Sequence, residues 1–309
     1  MPNLPGGRKV TPSAARRVVS LLPAGTEMLH ALGGGSLLVG RSHECDFPPE
    51  VGGLPVVSRP ALRLEGLTPD EVDRAVAERL KSGASLYEVD ETLLRELAPD
   101  LVLTQDLCQV CAPSGTELTR ALRTLPRQPE VLWLSPQTIA EIEANLLAVG
   151  EAIGRGDAAR ALLASNRERI ARVVQAVRGA PVRRVAFLEW LSPFFSAGHW
   201  VPEMIALAAG LDPLGNSGAD SRRVEWKEIA AGAPEAVIVA PCGFRLEPAA
   251  ALARELPVLD GAALYAVDAN AYFARPGPRV AEGVELLAHL FHPERFAWPH
   301  PTVPWVRLR

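Results

Sequence analysis

Short apolar runs that alternate with longer helical patterns constrain the fold of this chain more than any other feature. The runs are rich in Val and Leu, and they read RVVSLL, SLLVG, DLVLTQ, EVLWLS, RRVAFLEW, AVIVAP and ALYAVD. Buried parallel strands form continuous apolar runs of this kind, and their alternation with helices is typical of βαβ units. The sequence therefore predicts an α/β fold with mainly parallel sheets.

One long helical pattern divides these runs into two groups. It begins at Asp157, a fair N-cap, contains no Pro or Gly before Gly179 and is rich in the helix formers Ala, Leu and Arg. A chain of 309 residues is also too long for one simple core. We predict an N-terminal tail at 1–17, an α/β lobe at 18–156, a connecting helix at 157–180, a second α/β lobe at 181–292 and a C-terminal tail at 293–309 that packs extended on the surface.

Two other helix starts carry recognisable signals. Thr68 is a good N-cap, with Pro69 at the first helical position and acidic residues in the first turn. The segment PAGTEML predicts a second start, with Gly25 or Thr26 near the cap. Its free amides could hold an anionic group of a ligand, or the helix could cap itself with Glu27 in its first turn. Both interpretations stay open from the sequence.

Composition and charge exclude several classes of function. The net charge of −4 gives no reason to expect nucleic acid as a partner. No apolar run approaches the roughly 20 residues that span a bilayer, and the first residues contain no apolar core of a secretory signal. The sequence as written therefore predicts a cytoplasmic protein, in which thiols stay reduced.

Polar, aromatic and sulfur-containing side chains collect just after the predicted strands. In open parallel sheets, ligands bind outside the carboxyl ends of the strands, so these residues should line one cleft between the lobes. The aromatic faces of Trp190, Trp200, Tyr272 and Phe273 predict a large, planar, partly apolar ligand. The predicted ligand-binding residues are Thr26, His43, Cys45, Gln105, Cys108, Cys111, Trp190, His199, Trp200, Cys242, Tyr272, Phe273 and Arg275.

All four cysteines belong to this set. Cys108 and Cys111 lie in a loop before a helix that should begin near Ser114, which weakens a thioredoxin-like interpretation. The thiols could bind a metal or the metal centre of a ligand, form a reversible disulfide, or simply be small buried hydrophobic groups. A shared metal site requires at least three sulfurs, or two with His43 or His199, to converge on one point.

No catalytic residue is assigned from the sequence. The GGGS segment at Gly33 follows a helix and precedes a strand, which is the wrong order for a dinucleotide loop. The acidic residues are scattered and suggest no general acid and base pair. His289 and His292 fall at the end of the last predicted helix, where the helix dipole favours cations, and they are interpreted as structural.

Several segments resemble a known family. RVVSLLPAGTEMLHALG, LVGRSHECDFPPEVGGLPVVS, LAPDLVLTQ and the central helix are similar to the helical-backbone (class III) substrate-binding proteins of metal-chelate ABC importers. The cobalamin-binding group is the most similar, and the resemblance extends from about Arg17 to Pro293. This chain is a relative without a recognisable signal peptide, and its strand-end cysteines are not part of the general pattern.

The resemblance implies a non-enzymatic binding protein for cobalamin or a similar metal chelate, such as another corrinoid, haem or a siderophore. It also implies an ABC permease as partner, met by a surface glutamate on each lobe, and Glu91 and Glu203 lie close to those places. The alternative is a cytosolic metal- or thiol-dependent enzyme that uses the four cysteines. A stiff connecting helix of about 22 residues should let the lobes rock by small angles only.

Overall fold

Two α/β lobes, each built on one mainly parallel sheet, make up the protein. The computed structural model describes residues 14–63, 66–82, 84–105 and 115–309. The strands of the first sheet are β1 (Val18–Ser20), β2 (Leu38–Ser42), β3 (Val56–Pro60), β4 (Tyr87–Val89), β5 (Leu101–Thr104) and β6 (Glu130–Trp133). Those of the second lobe are β7 (Arg183–Leu191), β8 (Phe194–Ser196), β9 (Gly210–Leu211), β10 (Ala236–Val239), β11 (Ala263–Val267) and β12 (Trp305–Arg307).

Parallel pairing dominates the centre of both sheets. The first sheet has the order β4-β3-β2-β1-β5-β6, and only its edge strand β4 is antiparallel to its neighbour. The second has the order β12-β11-β10-β7-β8, with β9 beside β7. Its edge strands β8 and β12 are antiparallel, whereas β10 pairs in parallel with both β7 and β11. The predicted α/β fold with two lobes is confirmed.

The helices connect the strands and cover the sheets. In the first lobe they are α1 (Pro23–Ala31), α2 (Pro69–Lys81), α3 (Glu91–Leu97), α4 (Gly115–Arg123) and α5 (Ile139–Ala152). The long helix α6 (Gly156–Ala176) leads to the second lobe. There the helices are α7 (Val201–Leu207), α8 (Trp226–Ala231), α9 (Leu246–Arg254), α10 (Ala269–Tyr272) and α11 (Val280–Phe291).

The predicted helix starts are right for α2 and wrong for α1. Thr68 caps α2 through a capping box with Glu71, because each side chain bonds the other residue's backbone amide. Helix α1 instead begins at Pro23 with Leu22 as its N-cap. Proline fits the first turn because its missing N–H has no intrahelical partner there. Thr26 therefore lies inside the helix and not near its cap.

Helix α6 lies where the connecting helix was predicted. It comprises 21 residues, so it is about 32 Å long. Its N-cap is Arg155, two residues before the predicted Asp157, and it ends at Ala176. Arg169 on α6 donates two hydrogen bonds to the carboxylate of Glu285 on α11, one of them from Nε at 3.0 Å. These bonds tie the helix to the second lobe. The lobe boundaries at 156 and 180 remain predictions.

The C-terminal tail does more than cover the surface. Its strand β12 pairs antiparallel with β11 and so completes the second sheet. Trp298 of the tail packs edge-on against Tyr272 and Trp305, with ring centroids 6.1 Å and 5.6 Å apart. The prediction of an extended surface tail missed this strand, because an edge strand needs only three residues and carries no long apolar run.

His292 ends the last helix and is uncharged by burial rather than favoured as a cation. It is the C-cap of α11 and is fully buried, and burial lowers the pKa of its imidazole. Desolvation therefore outweighs the attraction of the helix dipole for a charged imidazole. None of the helices in the described ranges combines the length and the apolar character that crossing a bilayer requires.

Candidate functional site

A pocket of about 690 Å³ opens between the two lobes. Its walls come from the loop after β2, from the loop after β10 with the start of α9, and from the segment after β11. This volume lies within the range of small-molecule sites. The lining residues are His43, Glu44, Asp46, Gly243, Arg245, Leu246, Glu247, Pro248, Asp268, Asn270 and Arg275. The pocket thus lies at the carboxyl ends of strands from both sheets, where ligands bind in such folds.

The wall from the first lobe is a tight loop after β2. Arg41 stabilises this loop, since its Nη1 donates to the carbonyls of Ser42 and Cys45 at 3.0 and 3.1 Å. The ring of His43 lies 3.1 Å from the Ser58 carbonyl through Nδ1 and 3.1 Å from Glu44 Oε1 through Nε2. The hydrogen bond from His43 is the main reason that the pKa of Glu44 is lowered. Glu44 therefore presents a carboxylate to the pocket at neutral pH.

The wall from the second lobe combines a turn and two helix starts. Gly243 has a φ of +87° and no atom within 4 Å of the place where a Cβ would stand, so the turn after β10 leaves open space here. Asp268 caps the short helix α10 by accepting a hydrogen bond from the Ala271 amide at 3.0 Å. The remaining lining residues of this wall lie at the N-cap and in the first turn of α9, within α10, and after α10.

Three arginines of the second lobe bind carboxylates of the first. Arg275 Nη1 donates to Glu27 Oε1 at 3.0 Å and to Asp46 Oδ1 at 2.7 Å. Arg279 holds the same Glu27 through two bonds of 2.8 and 2.6 Å. Arg245 bonds the second carboxylate oxygen of Asp46. The two lobes are therefore joined by charged hydrogen bonds, some between residues that line the pocket and some directly beyond its lining.

Burial separates the inner and outer parts of this network. Glu27 is 3% exposed and Arg275 9% exposed, so their contact is shielded from water and salt. The Arg245 side chain, by contrast, is 66% exposed, and that of Asp46 is 35% exposed. Burial opposes ionisation of Asp46, but the hydrogen bonds from Arg275 and Arg245 prevail and lower its pKa. The Arg279 guanidinium also lies over the Phe47 ring, 4.3 Å from its centroid.

The pocket contains two of the predicted ligand-binding residues, His43 and Arg275. Thr26 and Cys45 are instead fully buried, and their side chains bond each other with Thr26 Oγ1 3.0 Å from Cys45 Sγ. Burial raises the pKa of the Cys45 thiol to about 11. Both residues therefore belong to the core of the first lobe, and their role as ligand contacts stays a prediction.

Three of the four predicted aromatic contacts also belong to the core. Trp200, Tyr272 and Phe273 are 5%, 9% and 3% exposed, and Phe273 packs edge-on against Phe187 with centroids 5.1 Å apart. The burial of these rings stabilises the second lobe, and their contact with a ligand stays a prediction. Only Trp190 stays partly exposed; its Nε1 donates to the Ser192 carbonyl at 2.9 Å and its ring packs edge-on against Phe244.

The other predicted contacts lie outside the pocket lining. His199 has a left-handed backbone with φ +54°. Burial lowers the pKa of its imidazole, although the carboxylate of Asp220, 3.4 Å away, acts to raise it. Gln105, at the end of β5, is buried. Cys242 is a free, exposed thiol next to the pocket residue Gly243.

The proposed shared sulfur site receives no support from the described residues. Cys108 and Cys111 lie outside them, so the convergence of all four sulfurs is untested. Cys45 is buried and Cys242 is exposed. Within the described ranges, no three His, Cys, Asp or Glu side chains come together in a way that could hold a metal ion.

The two candidate surface glutamates are both engaged within the protein. Glu91, in the first turn of α3, lies 3.0 Å from Arg120 Nε of α4. Glu203 of α7 accepts a hydrogen bond of 3.0 Å from the Ile139 amide at the start of α5. This bond satisfies a free amide of the helix start and links α7 of the second lobe to α5 of the first. The role of either residue in docking remains a prediction.

Solved structures with the same fold include proteins described as binding heme, vitamin B12 or, possibly, iron. A periplasmic heme binding protein from Pseudomonas aeruginosa has a TM-score of 0.67 and 22% identity, over 95% of this chain and 98% of the other. The vitamin B12 binding protein BtuF of Vibrio cholerae has a TM-score of 0.62 and 21% identity, over 89% and 95%. A possible iron-binding, periplasmic solute-binding protein from Staphylococcus epidermidis has a TM-score of 0.67 and 19% identity, over 91% and 100%.

Sequence comparison decides the family. The model of the family described as periplasmic binding protein matches residues 18–260. The chain belongs to the periplasmic binding protein family. No curated protein sequence matches it.

Membership in the periplasmic binding protein family explains the two lobes and the pocket between them. It confirms the resemblance to substrate-binding proteins, and the enzyme alternative finds no parallel in the family or in these structures. The cytoplasmic location was predicted from the first residues of the sequence, of which 1–13 lie outside the described ranges. The name of the family refers to the periplasm, so the location stays a prediction.

Most of the residues that line the pocket or flank it lie outside the predicted ligand-binding set. Glu27, Asp46, Arg245 and Arg279 were absent from the predicted set, although each lies within a few residues of a predicted one. Acidic residues in TEML and CDF and arginines in ARPGPR were available as a signal. Their opposite charges on different lobes, both at strand ends, could have indicated a charged cleft.

Proposed function

We propose that this periplasmic binding protein family member binds a metal chelate, such as a corrinoid, haem or a siderophore, in the pocket between its lobes. The observation that carries the proposal is the pocket itself, which lies at the carboxyl ends of β2, β10 and β11 and is lined from both sheets. The solved structures with this fold support the same class of ligand, since they are described as binding haem, vitamin B12 or, possibly, iron.

The proposed mode of binding is capture without chemical change. The pocket contains carboxylates, guanidiniums, an amide and an imidazole, which can hydrogen-bond the periphery of a chelate. The buried thiol Cys45, with its pKa raised to about 11, is a poor nucleophile at neutral pH. We therefore propose that the ligand leaves unchanged, and that an ABC permease receives it.

A titration with a panel of chelates tests the proposal. Purified protein at fixed concentration is mixed with cobinamide, cobalamin, haem or a ferric siderophore, and absorbance and heat are followed. We expect at least one of these to bind with a dissociation constant below about 100 μM, equivalent to about −5.5 kcal/mol. No binding of any member of the panel contradicts the proposal.

A matched pair of variants on helix α9 assigns the binding to the pocket. Glu247 lines the pocket, whereas Glu255 is the exposed C-cap of the same helix and does not. Glu247→Trp should fill part of the pocket and weaken binding at least tenfold. Glu255→Trp should bind like the parent protein. Equal binding by all three proteins shows that the ligand lies elsewhere.

A further inference from the structure

The charges that line the pocket do not balance. Four of the lining residues are carboxylic acids, Glu44, Asp46, Glu247 and Asp268, and only Arg245 and Arg275 carry a guanidinium. The described lining therefore holds two more carboxyl groups than guanidiniums. Just beyond the lining, Glu27 and Arg279 bind each other and leave this excess unchanged.

Both guanidiniums of the lining already have a carboxylate partner within the protein. Arg275 donates to Glu27 and Asp46 and lies 3.4 Å from the Glu44 carbonyl oxygen. Arg245 bonds Asp46 through Nη2, and its side chain is 66% exposed. A ligand carboxylate could take over the donor Nη1 of Arg275 only by displacing Asp46 or Glu27. Displacement would leave Asp46 unpaired in a partly buried place, which is costly.

The excess carboxylates, in contrast, can accept hydrogen bonds from a ligand. Glu247 is exposed in the first turn of α9, and Glu44 presents an ionised carboxylate from the facing wall. An ionised carboxylate only accepts hydrogen bonds, whereas a primary amide offers two donors. Peripheral amides on a ligand, or a positive charge, would therefore complement this pocket, and peripheral carboxylates would be repelled by it.

We propose that the pocket selects its chelate by charge and takes neutral or cationic chelates with an amide-bearing periphery in preference to polycarboxylate chelates. This inference rests on the proposed function, since it specifies the class of chelate that the same pocket holds. It places Glu44 and Glu247 as specificity-determining residues, with Glu27 and Asp46 holding Arg275 away from an anionic ligand.

Two corrinoids with the same ring test the inference. Dicyanocobinamide carries peripheral amides, and dicyanocobyrinic acid carries carboxylates at the same positions. At low ionic strength we expect the amide compound to bind at least tenfold more tightly, equivalent to about 1.4 kcal/mol. The ratio should shrink as salt is added, because the Debye length falls from about 30 Å at 0.01 M to about 8 Å at 0.15 M ionic strength.

Single-charge variants locate the source of the preference. Glu247→Gln removes one of the two excess charges and should reduce the ratio between the two corrinoids at least twofold at low salt. Glu255→Gln changes the same charge on the same helix outside the pocket, and its ratio should equal that of the parent protein. Both residues are exposed, so both variants should fold.

The outcomes separate this inference from the proposed function. Equal or tighter binding of the carboxylate corrinoid overturns the charge selection and leaves the chelate-binding function standing. A ratio that is the same in Glu247→Gln and in the parent also overturns it. If neither these corrinoids nor haem or siderophores bind, the proposed function fails, and the inference fails with it.

Discussion

The carboxylate of Glu27 lies 3.0 Å from the guanidinium of Arg275, although the two residues are 248 positions apart and belong to different lobes. Arg279 donates to both oxygens of the same carboxylate. The contact is almost completely buried, so neither partner can turn to water when the other is lost. It joins α1 of the first lobe to the segment before α11 of the second, directly beside the pocket.

Removing this buried carboxylate should destabilise the protein strongly. Glu27→Gln removes a charged partner from the guanidiniums of Arg275 and Arg279. Removing one partner of a buried ion pair costs about 3–5 kcal/mol. Urea denaturation should show this as a lower free energy of unfolding. Asp157→Asn, which breaks the exposed pair with Arg160, serves as control and should leave unfolding unchanged. Equal stability of Glu27→Gln and the parent protein contradicts the account of the interlobe contact.

A second prediction concerns the pH dependence of stability. Burial raises the pKa of Glu189 to about 7, against hydrogen bonds from the Gly198 amide and Ser221, and the charge of Asp212 adds to the rise. The folded protein therefore holds this proton more tightly than the unfolded chain, in which the pKa is near 4.5. The contribution of Glu189 to the free energy of unfolding should therefore fall as pH rises from about 4.5 to about 7. Above about pH 7 this contribution should stay constant.

Glu189→Gln isolates this contribution from the other titrating groups. Relative to the parent protein, the variant should gain stability across that pH window, by at most about 3 kcal/mol because Glu189 keeps partial exposure. Chemical denaturation at a series of pH values measures the difference. A difference that is constant with pH, or that falls as pH rises, contradicts the raised pKa.

The described cysteines should differ sharply in reactivity. Cys242 is exposed, whereas Cys45 is fully buried and its pKa is raised to about 11. In the native protein, iodoacetamide should modify Cys242 within minutes and spare Cys45, because alkylation requires an accessible thiolate. Peptide mapping by mass spectrometry distinguishes the two sites, and labelling in urea confirms that both can react. Comparable native rates would show that Cys45 is accessible.

The lobes should move little when a ligand binds. Helix α6, with its continuous hydrogen bonds, and the buried contact of Glu27 with Arg275 both restrict a hinge. Small-angle X-ray scattering should give nearly the same radius of gyration with and without bound chelate. Glu27→Gln should show a larger change. A rotation of several tens of degrees in the parent protein contradicts the prediction.

Local sequence patterns predict the frame of this protein well. The apolar runs of β7, β10 and β11 form strands, of which β10 is buried throughout, and the Thr68 capping box begins α2 where expected. Both are properties of neighbouring residues, so the sequence contains them directly. Strands such as β4 and β8 have only three residues, too few for a periodic signal.

The site depends on long-range geometry that local patterns do not contain. A position after a strand brings His43 and Arg275 to the pocket, but it does not decide where a ring points. Trp200 and Phe273 occupy such positions and turn into the core. The bond between Glu27 and Arg275 likewise requires two distant segments to meet, so neither segment alone reveals it.

Diffraction from a crystal of the protein soaked in dicyanocobinamide tests the central proposal most directly, because cobalt scatters anomalously at its absorption edge. If the chelate binds between the lobes, one cobalt peak should lie inside the pocket. It should stand between the loop that holds His43 and Asp46 and the wall that holds Arg245 and Glu247. The peak should vanish in crystals of Glu247→Trp. A cobalt peak outside the pocket, or one that persists in that variant, would contradict the proposal that the chelate binds between the lobes.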